Sequence, residues 1–280
     1  MSAITPELVA ATVRDLPPLP AVVAELIASL GREDLSAEEL AARLSRDQAL
    51  SAKTLRLANS SFYGMSRQIG TIQEAITILG LRTVRTVVTA AGVTGAFKRP
   101  PDIGFDFDAF WRHSIGSALC AQALARETGM DPDIGFTVGL MHDIGRLALA
   151  TCFPQIYVRT LAHRHEQDCP YAEAERATLG IDHTAVGGHV AEHWRFSPVI
   201  VEAIANHHSP AMHHGPGFVG LAHLADSIAH GLALSGDPQD MVPATASDIW
   251  AAMAPAPDRC QRLFAQAEAQ FDGVCRALLM

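Results

Sequence analysis

The stretch GLMHDIGRLAL, Gly139 to Leu149, sets His142 beside Asp143 inside an apolar run with helical spacing. Ionisable groups are costly to bury without partners, so the doublet needs a reason. One reason is a capped or solvated helix turn. The other is a metal site, since imidazole and carboxylate together suit transition-metal ions. Adjacent residues on a helix point about 100° apart. Both can serve one site only where ions sit over a helix end or between two helix faces.

Outward from the doublet, helical spacing recurs. DIGFTVGLMHDIGRLALATCF (133–153) reads as a single helix, preceded by a long one over 108–129 that stops at Gly129. SAEELAARLSRD opens with Ser36 and carries Glu39 three residues on, the pattern of a capping box. YAEAERATLG, DHTAVGGHVAEHWR, SPVIVEAIANHH and FVGLAHLADSIAHGLAL follow as further helices. No alternating stretch of strand length competes, and alanine dominates the apolar set while aromatics make up only 6%. The class is all-α. Adjacent prolines at 100 and 101 cannot lie inside a helix, so they divide the chain into an N-terminal helical lobe (1–100) and a helical bundle (101–235). A Pro/Gly-containing segment then leads into a C-terminal helical extension (236–280).

Composition narrows the function classes. With 49% hydrophobic and 18% charged residues, a sizeable core forms. No run of about 18 uncharged apolar residues occurs, so no membrane helix is expected. The start carries acids and prolines, unlike a secretory leader. Cys120, Cys152, Cys169, Cys260 and Cys275 form no CxxC pair and read as reduced thiols of a cytoplasmic protein. A net charge of −9 argues against nucleic-acid binding. Yet the segment 53–99 holds seven basic residues (Lys53, Arg56, Arg67, Arg82, Arg85, Lys98, Arg99) against Glu74, leaving −15 on the remainder. Arg82 and Arg85 share one side of a helix. They are expected to serve partly a contact between lobes and partly an acidic or phosphorylated partner, such as another signalling protein. A DNA-contacting helix-turn-helix fits poorly with the core-like AITILG and VRTVVTAAGV around them.

Thirteen histidines crowd the chain. His113, His142, Asp143, His183, His207, His208 and Asp226 come from separate predicted helices that a bundle can bring together. Nitrogen and carboxylate ligands without thiolate suit iron, manganese, zinc or nickel. A carboxylate can bridge two ions that polarise a phosphate and activate a water. Other histidines compete. His223 lies three residues before Asp226, His189 and His193 share the helix of His183, and His163, His165, His213 and His214 read as surface or loop positions.

In order and context, FWRHS, GLMHDIGRL, GIDHTAVG, IANHH and LADSIAH resemble the HD superfamily of metal-dependent phosphohydrolases. LPPLPAVVAELI, DQALSAKTLRLANSSFYG and TIQEAITILGLRTVR resemble its HDOD subgroup, the HD-related output domain. The likeness spans residues 14–235. It implies an N-terminal helical lobe packed on an HD-like bundle, in a signalling protein whose relatives have no generally established activity. It also implies a dinuclear metal with Asp143 as the bridge. Relative to HD-GYP enzymes, Arg146 stands where their HDIGK motif has lysine, and no Gly-Tyr-Pro run follows NHH. Arginine binds phosphate but does not donate a proton. The expected function is therefore a cytoplasmic output module acting through protein partners or a phosphorylated small ligand. The alternative is an active phosphohydrolase on nucleotides or cyclic dinucleotides, with Asp143 and Arg146 as its catalytic residues. LANSSFYG is expected to be structural, its Asn and Ser side chains ending a helix.

Overall fold

Short polar side chains begin these helices by taking up free first-turn amides. Ser36 Oγ accepts from Glu39 N at 3.1 Å, Asp47 from Leu50 N at 3.0 Å and Asp106 from Ala109 N at 2.9 Å. Asp131 and Asp182 cap in the same way. The computed structural model describes residues 5–13, 16, 18–28, 36–59, 67–97, 99, 102–210 and 217–279, and among these no strand occurs.

The first helices are α1 (Pro6–Val13), α2 (Ala21–Ala28), α3 (Ala37–Leu44), α4 (Gln48–Ala58), α5 (Ile72–Leu79) and α6 (Leu81–Ala96). α6 is buried continuously from Val84 to Thr94, Arg85 and three threonines included. α2, α4 and α5 pack around it, whereas α1 leaves this lobe and lies on two helices of the second.

The second lobe contains α7 (Phe107–Thr128), α8 (Pro132–Met141), α9 (Ile144–Cys152), α10 (Pro154–Gln167), α11 (Tyr171–Leu179), α12 (His183–His193), α13 (Pro198–Asn206) and α14 (Phe218–Gly231). α15 (Ser247–Met253) and α16 (Pro257–Leu279) complete the chain. α7 is central, with α8, α14 and α16 against it, and α16 also touches α4 and α6. The C-terminal helix thus spans both lobes. Lys53 Nζ donates to the Leu278 carbonyl at 3.1 Å, a suitable cation for a helix end whose last carbonyls lack partners.

One expectation needs correction. The run 133–153 is not one helix: α8 ends at Met141, the doublet forms a turn, and α9 starts at Ile144. Arg82 and Arg85 differ in burial. Arg82 is exposed, while Arg85 is 5% exposed at the junction of α6 with the second lobe. Beside it Thr86 Oγ1 donates to Asp133 on α8 at 2.8 Å. Much of the basic segment serves intramolecular contacts, for Arg67 pairs with Glu74 at 2.6 Å and Arg99 with Asp108 at 2.8 Å.

Of LANSSFYG, residues 60–64 lie outside the described residues. Asn59 does end its helix by side-chain bonding: Nδ2 donates to Leu55 O at 2.8 Å and Ile69 O at 2.9 Å, and Oδ1 accepts from Ile69 N at 2.7 Å. No helix among the described residues is long and apolar enough to cross a membrane.

Candidate metal centre

The helix break answers the problem posed by the doublet. Asp143, at φ −97° and ψ 7°, leaves the α-helical path, so His142 and Asp143 face one space from a turn. The second doublet repeats the device. α13 ends at Asn206, and His207 and His208 occupy the turn beyond it. His183 is the first residue of α12, behind its Asp182 cap. His113 comes from α7 and Asp226 from α14.

All seven residues singled out from the sequence come together. His183 Nε2 is 3.2 Å and His207 Nε2 3.7 Å from Asp143 Oδ1. His183 Nε2 and His208 Nε2 are 3.0 Å apart. On the other side of Asp143, His113 Nε2 lies 3.0 Å and His142 Nε2 3.3 Å from Asp226 Oδ1. His142 Nε2 is also 3.7 Å from Asp143 Oδ1. Asp143, His183, His207 and His208 form one group of ligand geometry, and His113, His142 and Asp143 another. Asp143 belongs to both.

The outer nitrogens explain why Nε2 faces inward. His142 Nδ1 is 2.7 Å from Gly139 O and His207 Nδ1 2.9 Å from Ile204 O. His183 Nδ1 is 2.6 Å from Glu175 Oε2, which also accepts the His183 backbone N–H at 2.7 Å. Tyr157 donates to the other Glu175 oxygen at 3.1 Å. Such bonds fix ring orientation and leave the opposite nitrogen to a metal.

The electrostatics suit ligand chemistry. Burial alone would raise the Asp143 carboxyl, but His142, Arg146 and His183 outweigh it and hold it well below the usual range. Burial likewise opposes Asp226, yet its bonds with His113, His142 and His230 keep it low. Burial and the neighbouring His230 push His113 down to about 4. Burial, His207 and His183 push His208 down to about 2. Both rings are therefore neutral, with a lone pair to offer. Burial lowers His183, but Glu175 and Asp143 reverse it and bring the ring up to about 10.

The residues fit a bound metal. His207 Nε2 and Asp226 Oδ2 are buried inside the cluster without any hydrogen-bond partner. Buried polar atoms are ordinarily partnered, so these two are available to a bound ion. The donors are imidazole and carboxylate throughout, which iron, manganese, zinc and nickel accept.

Several participants escaped sequence reasoning. His230 stands 3.2 Å from Asp226 Oδ1 and groups with His113 and Asp226. Its spacing of four from Asp226 was the available signal. Glu175 carried none. His223 does not join the cluster: Nδ1 faces the His207 carbonyl at 2.9 Å, and Nε2 accepts from Ala246 N at 2.9 Å. It holds the His207 turn against the chain after α14. His163 and His189 are half-buried and His165 and His193 exposed, away from the site, and His213 and His214 lie outside the described residues.

A cavity of about 300 Å³ opens beside the cluster, bordered by Asp143, His183, Asp226, Arg146, Arg164 and Tyr171. Arg146 donates to Asp143 Oδ2 at 2.7 Å and lies 3.6 Å from the Tyr171 ring centre. Arg164 lies against the same ring at 4.1 Å. Two guanidinium groups so placed bring positive charge to one wall of the cavity, which Asp143, Asp226 and Asp240 also line.

Fold and site together define an all-helical protein with a buried histidine–aspartate centre of metal-binding type. The chain belongs to the HDOD family: the model of the HDOD domain matches residues 16–210. Among solved structures it is similar to an HDOD domain protein of unknown function from Geobacter sulfurreducens, at 23% identity, 97% coverage of each chain and a TM-score of 0.81. It is also similar to a proposed phosphohydrolase from Shewanella amazonensis SB2B, at 29% identity, 96% coverage of each chain and a TM-score of 0.76. A 97-residue part, 35% of this chain and 14% of the relative, is 33% identical to ribonuclease Y of Clostridium kluyveri. The chain spans 39% of the length of a further curated relative.

Proposed function

We propose that this chain is a regulatory module that binds a phosphorylated small molecule at a dinuclear metal centre. His113, His142 and Asp226 would hold one ion, His183, His207 and His208 the other, with Asp143 between them. The observation that carries the reading is the pair of buried orphan atoms, His207 Nε2 and Asp226 Oδ2, inside a cluster where Nδ1 of His142, His183 and His207 is already bonded on the outer side. Arg146 and Arg164 border the adjoining cavity and supply charge to a phosphate. Free cysteines support a reducing, cytoplasmic setting. Input would come from protein partners, with Arg82 of the basic segment exposed to meet them.

Calorimetry with inorganic phosphate, on metal-stripped and zinc-loaded protein, tests this reading. Phosphate should bind the loaded form, and Arg164→Ala should weaken it at least tenfold. Equal binding to both forms, or no metal uptake on reconstitution, refutes it.

A second reading, hydrolysis of a small phosphoester, has its own support. Asp143 Oδ1 lies between the two ligand groups and borders the cavity, where two bound ions would polarise one phosphoryl group and one water. The Shewanella protein is a proposed phosphohydrolase and ribonuclease Y is by name a nuclease, so both concern phosphoesters. The net charge of −9 and the cavity size favour a small substrate over a polymer here. Release of p-nitrophenolate from bis(p-nitrophenyl) phosphate, with manganese, iron, zinc or nickel, should be lost in Asp143→Ala. Equal rates in both proteins refute hydrolysis.

A further inference from the structure

We propose that His230 is a metal ligand and that Asp240 positions it, so the centre is completed by chain beyond the matched HDOD region. The inference rests on the metal reading above and gives the ion nearest Asp226 one more protein side chain, beyond His113, His142, Asp226 and the shared Asp143.

His230 lies one helical turn after Asp226 on α14. Its Nε2 is 3.2 Å from Asp226 Oδ1, and its ring centre is 4.1 Å from that of His113. One ligand atom each from His113, Asp226 and His230 lie within 4.8 Å of one another. Three imidazole nitrogens therefore crowd one oxygen of Asp226, while its other oxygen, Oδ2, is buried and unpartnered. A simple ion pair with His230 would explain the first oxygen and leave the second without purpose. An ion held among these groups would give the carboxylate the further partner it lacks.

The far side of His230 strengthens the assignment. Its Nδ1 is 2.5 Å from Asp240 Oδ1. This repeats the arrangement of His183 on Glu175, at 2.6 Å. The cluster thus carries two carboxylate–histidine pairs, each with Nε2 turned inward, as metal-ligating histidines are held. A histidine serving only to pair with Asp226 has no need of a second carboxylate.

Asp240 is itself held in place. Its Oδ2 accepts from Ser235 Oγ at 2.8 Å. Arg112 on α7 donates to the Ser235 carbonyl at 3.2 Å, and Arg164 on α10 donates to the Gln239 carbonyl at 2.7 Å. Two helices of the second lobe thereby pin 235–240 over His230. These residues follow the matched region, which ends at 210.

The test uses the full chain, stripped and reloaded with zinc(II) or cobalt(II). Ions per chain, dissociation constants by chelator competition and the cobalt(II) visible spectrum are the readouts. Wild type should hold two ions. His230→Ala should weaken one of them at least tenfold and alter the spectrum, and His165→Ala, on the surface of α10, should change neither. In His230→Gly, added imidazole should restore the lost ion, a recovery that a folding defect cannot mimic. Asp240→Ala should weaken the same ion, and Asp240→Asn, which still accepts the His230 Nδ1–H, should weaken it less. Two ions with wild-type affinity and spectrum in His230→Ala overturn this inference alone. No ion in reloaded wild type overturns the metal reading and this inference with it.

Discussion

Gly145 on α9 lies directly under the His183 carbonyl: a Cβ at Gly145 would stand 2.0 Å from that oxygen and 2.7 Å from Gly187 N. Both neighbours are backbone, so neither can swing away. This contact sets α9 against the start of α12, and so sets Asp143 against His183. Gly145→Ala should cost about 3 kcal/mol, at the upper end for overpacking, and lower metal affinity as well. Urea unfolding of the metal-free protein measures the first effect. A loss under about 0.5 kcal/mol, typical of neutral surface changes, would show that the helices can part without strain.

Glu175 is fully buried and accepts three hydrogen bonds, two from His183 and one from Tyr157. Glu175→Ala leaves these donors without a partner, at roughly 1–3 kcal/mol for each buried group. It also frees the His183 ring, and loss of such an orienting partner typically lowers metal affinity 10–100-fold. Glu175→Gln should retain more stability than affinity, since it keeps volume and one acceptor but loses charge. Competition with a chelator and urea unfolding give the two numbers. Unchanged affinity in both variants would mean that His183 is oriented by its packing alone.

The separate legibility of fold and site has a physical basis. The all-α class followed from spacing, because a helix repeats its buried face every three to four residues and the pattern survives in one dimension. His113, His142, Asp143, His183, His207, His208 and Asp226 were legible because their local motifs resemble one family pattern. The break at His142–Asp143 was not. The residues around it, Leu140, Met141 and Ile144, are all buried, so apolar periodicity runs through the turn without interruption. Glu175 and Asp240 were invisible because their role depends on which helix lies opposite. Arg85 looked like Arg82 because spacing puts both on one side of α6, and only the packing of the lobes shows that the first is covered and the second is not.

Metal binding should release protons. Burial pulls His183 and His230 down, but Glu175 and Asp143 around the first, and Asp226 and Asp240 around the second, hold both at about 10. In the metal-free protein at pH 7 both rings are therefore cationic, and a ligand nitrogen must lose its proton. The sign follows: affinity rises with pH, about tenfold per unit for each proton displaced, throughout the range below 10. Zinc titrations at pH 7 in buffers of different ionisation enthalpy count the protons, with about two expected, one from each ring. A count of zero would remove His183 and His230 from the ligand set.

The basic segment divides by burial. Arg85 sits at the lobe junction near Asp133, whose carboxyl is raised first by burial and then by Asp131, and lowered by Thr86, Arg85 and Arg82. Arg85→Glu puts a buried like charge beside that carboxylate and should cost roughly 3 kcal/mol, as for a broken buried charge arrangement. Arg82→Glu, on the exposed side, should leave the unfolding midpoint unchanged. If it also weakens capture of a native partner, and more so at low salt, Arg82 belongs to an interaction surface. Equal midpoints for the two variants would contradict the burial of Arg85.

Asn59 offers the last test, of how the first lobe closes on itself. Its amide group both donates to and accepts from the backbone of Ile69, ten residues on, while a second donor bond reaches Leu55 at the end of α4. One side chain therefore joins the end of a helix to the approach to α5. Ile69 is 2% exposed, so water cannot readily replace what Asn59 supplies. Asn59→Ala should cost about 2 kcal/mol, since it strips a buried amide and carbonyl of partners. Asn59→Asp keeps the acceptor for Ile69 N–H but sets a carboxylate oxygen against the Leu55 and Ile69 carbonyls. It should be at least as damaging as alanine at pH 7. Urea unfolding of the two variants decides the matter, and an aspartate variant as stable as wild type would show that only the Ile69 N–H bond counts.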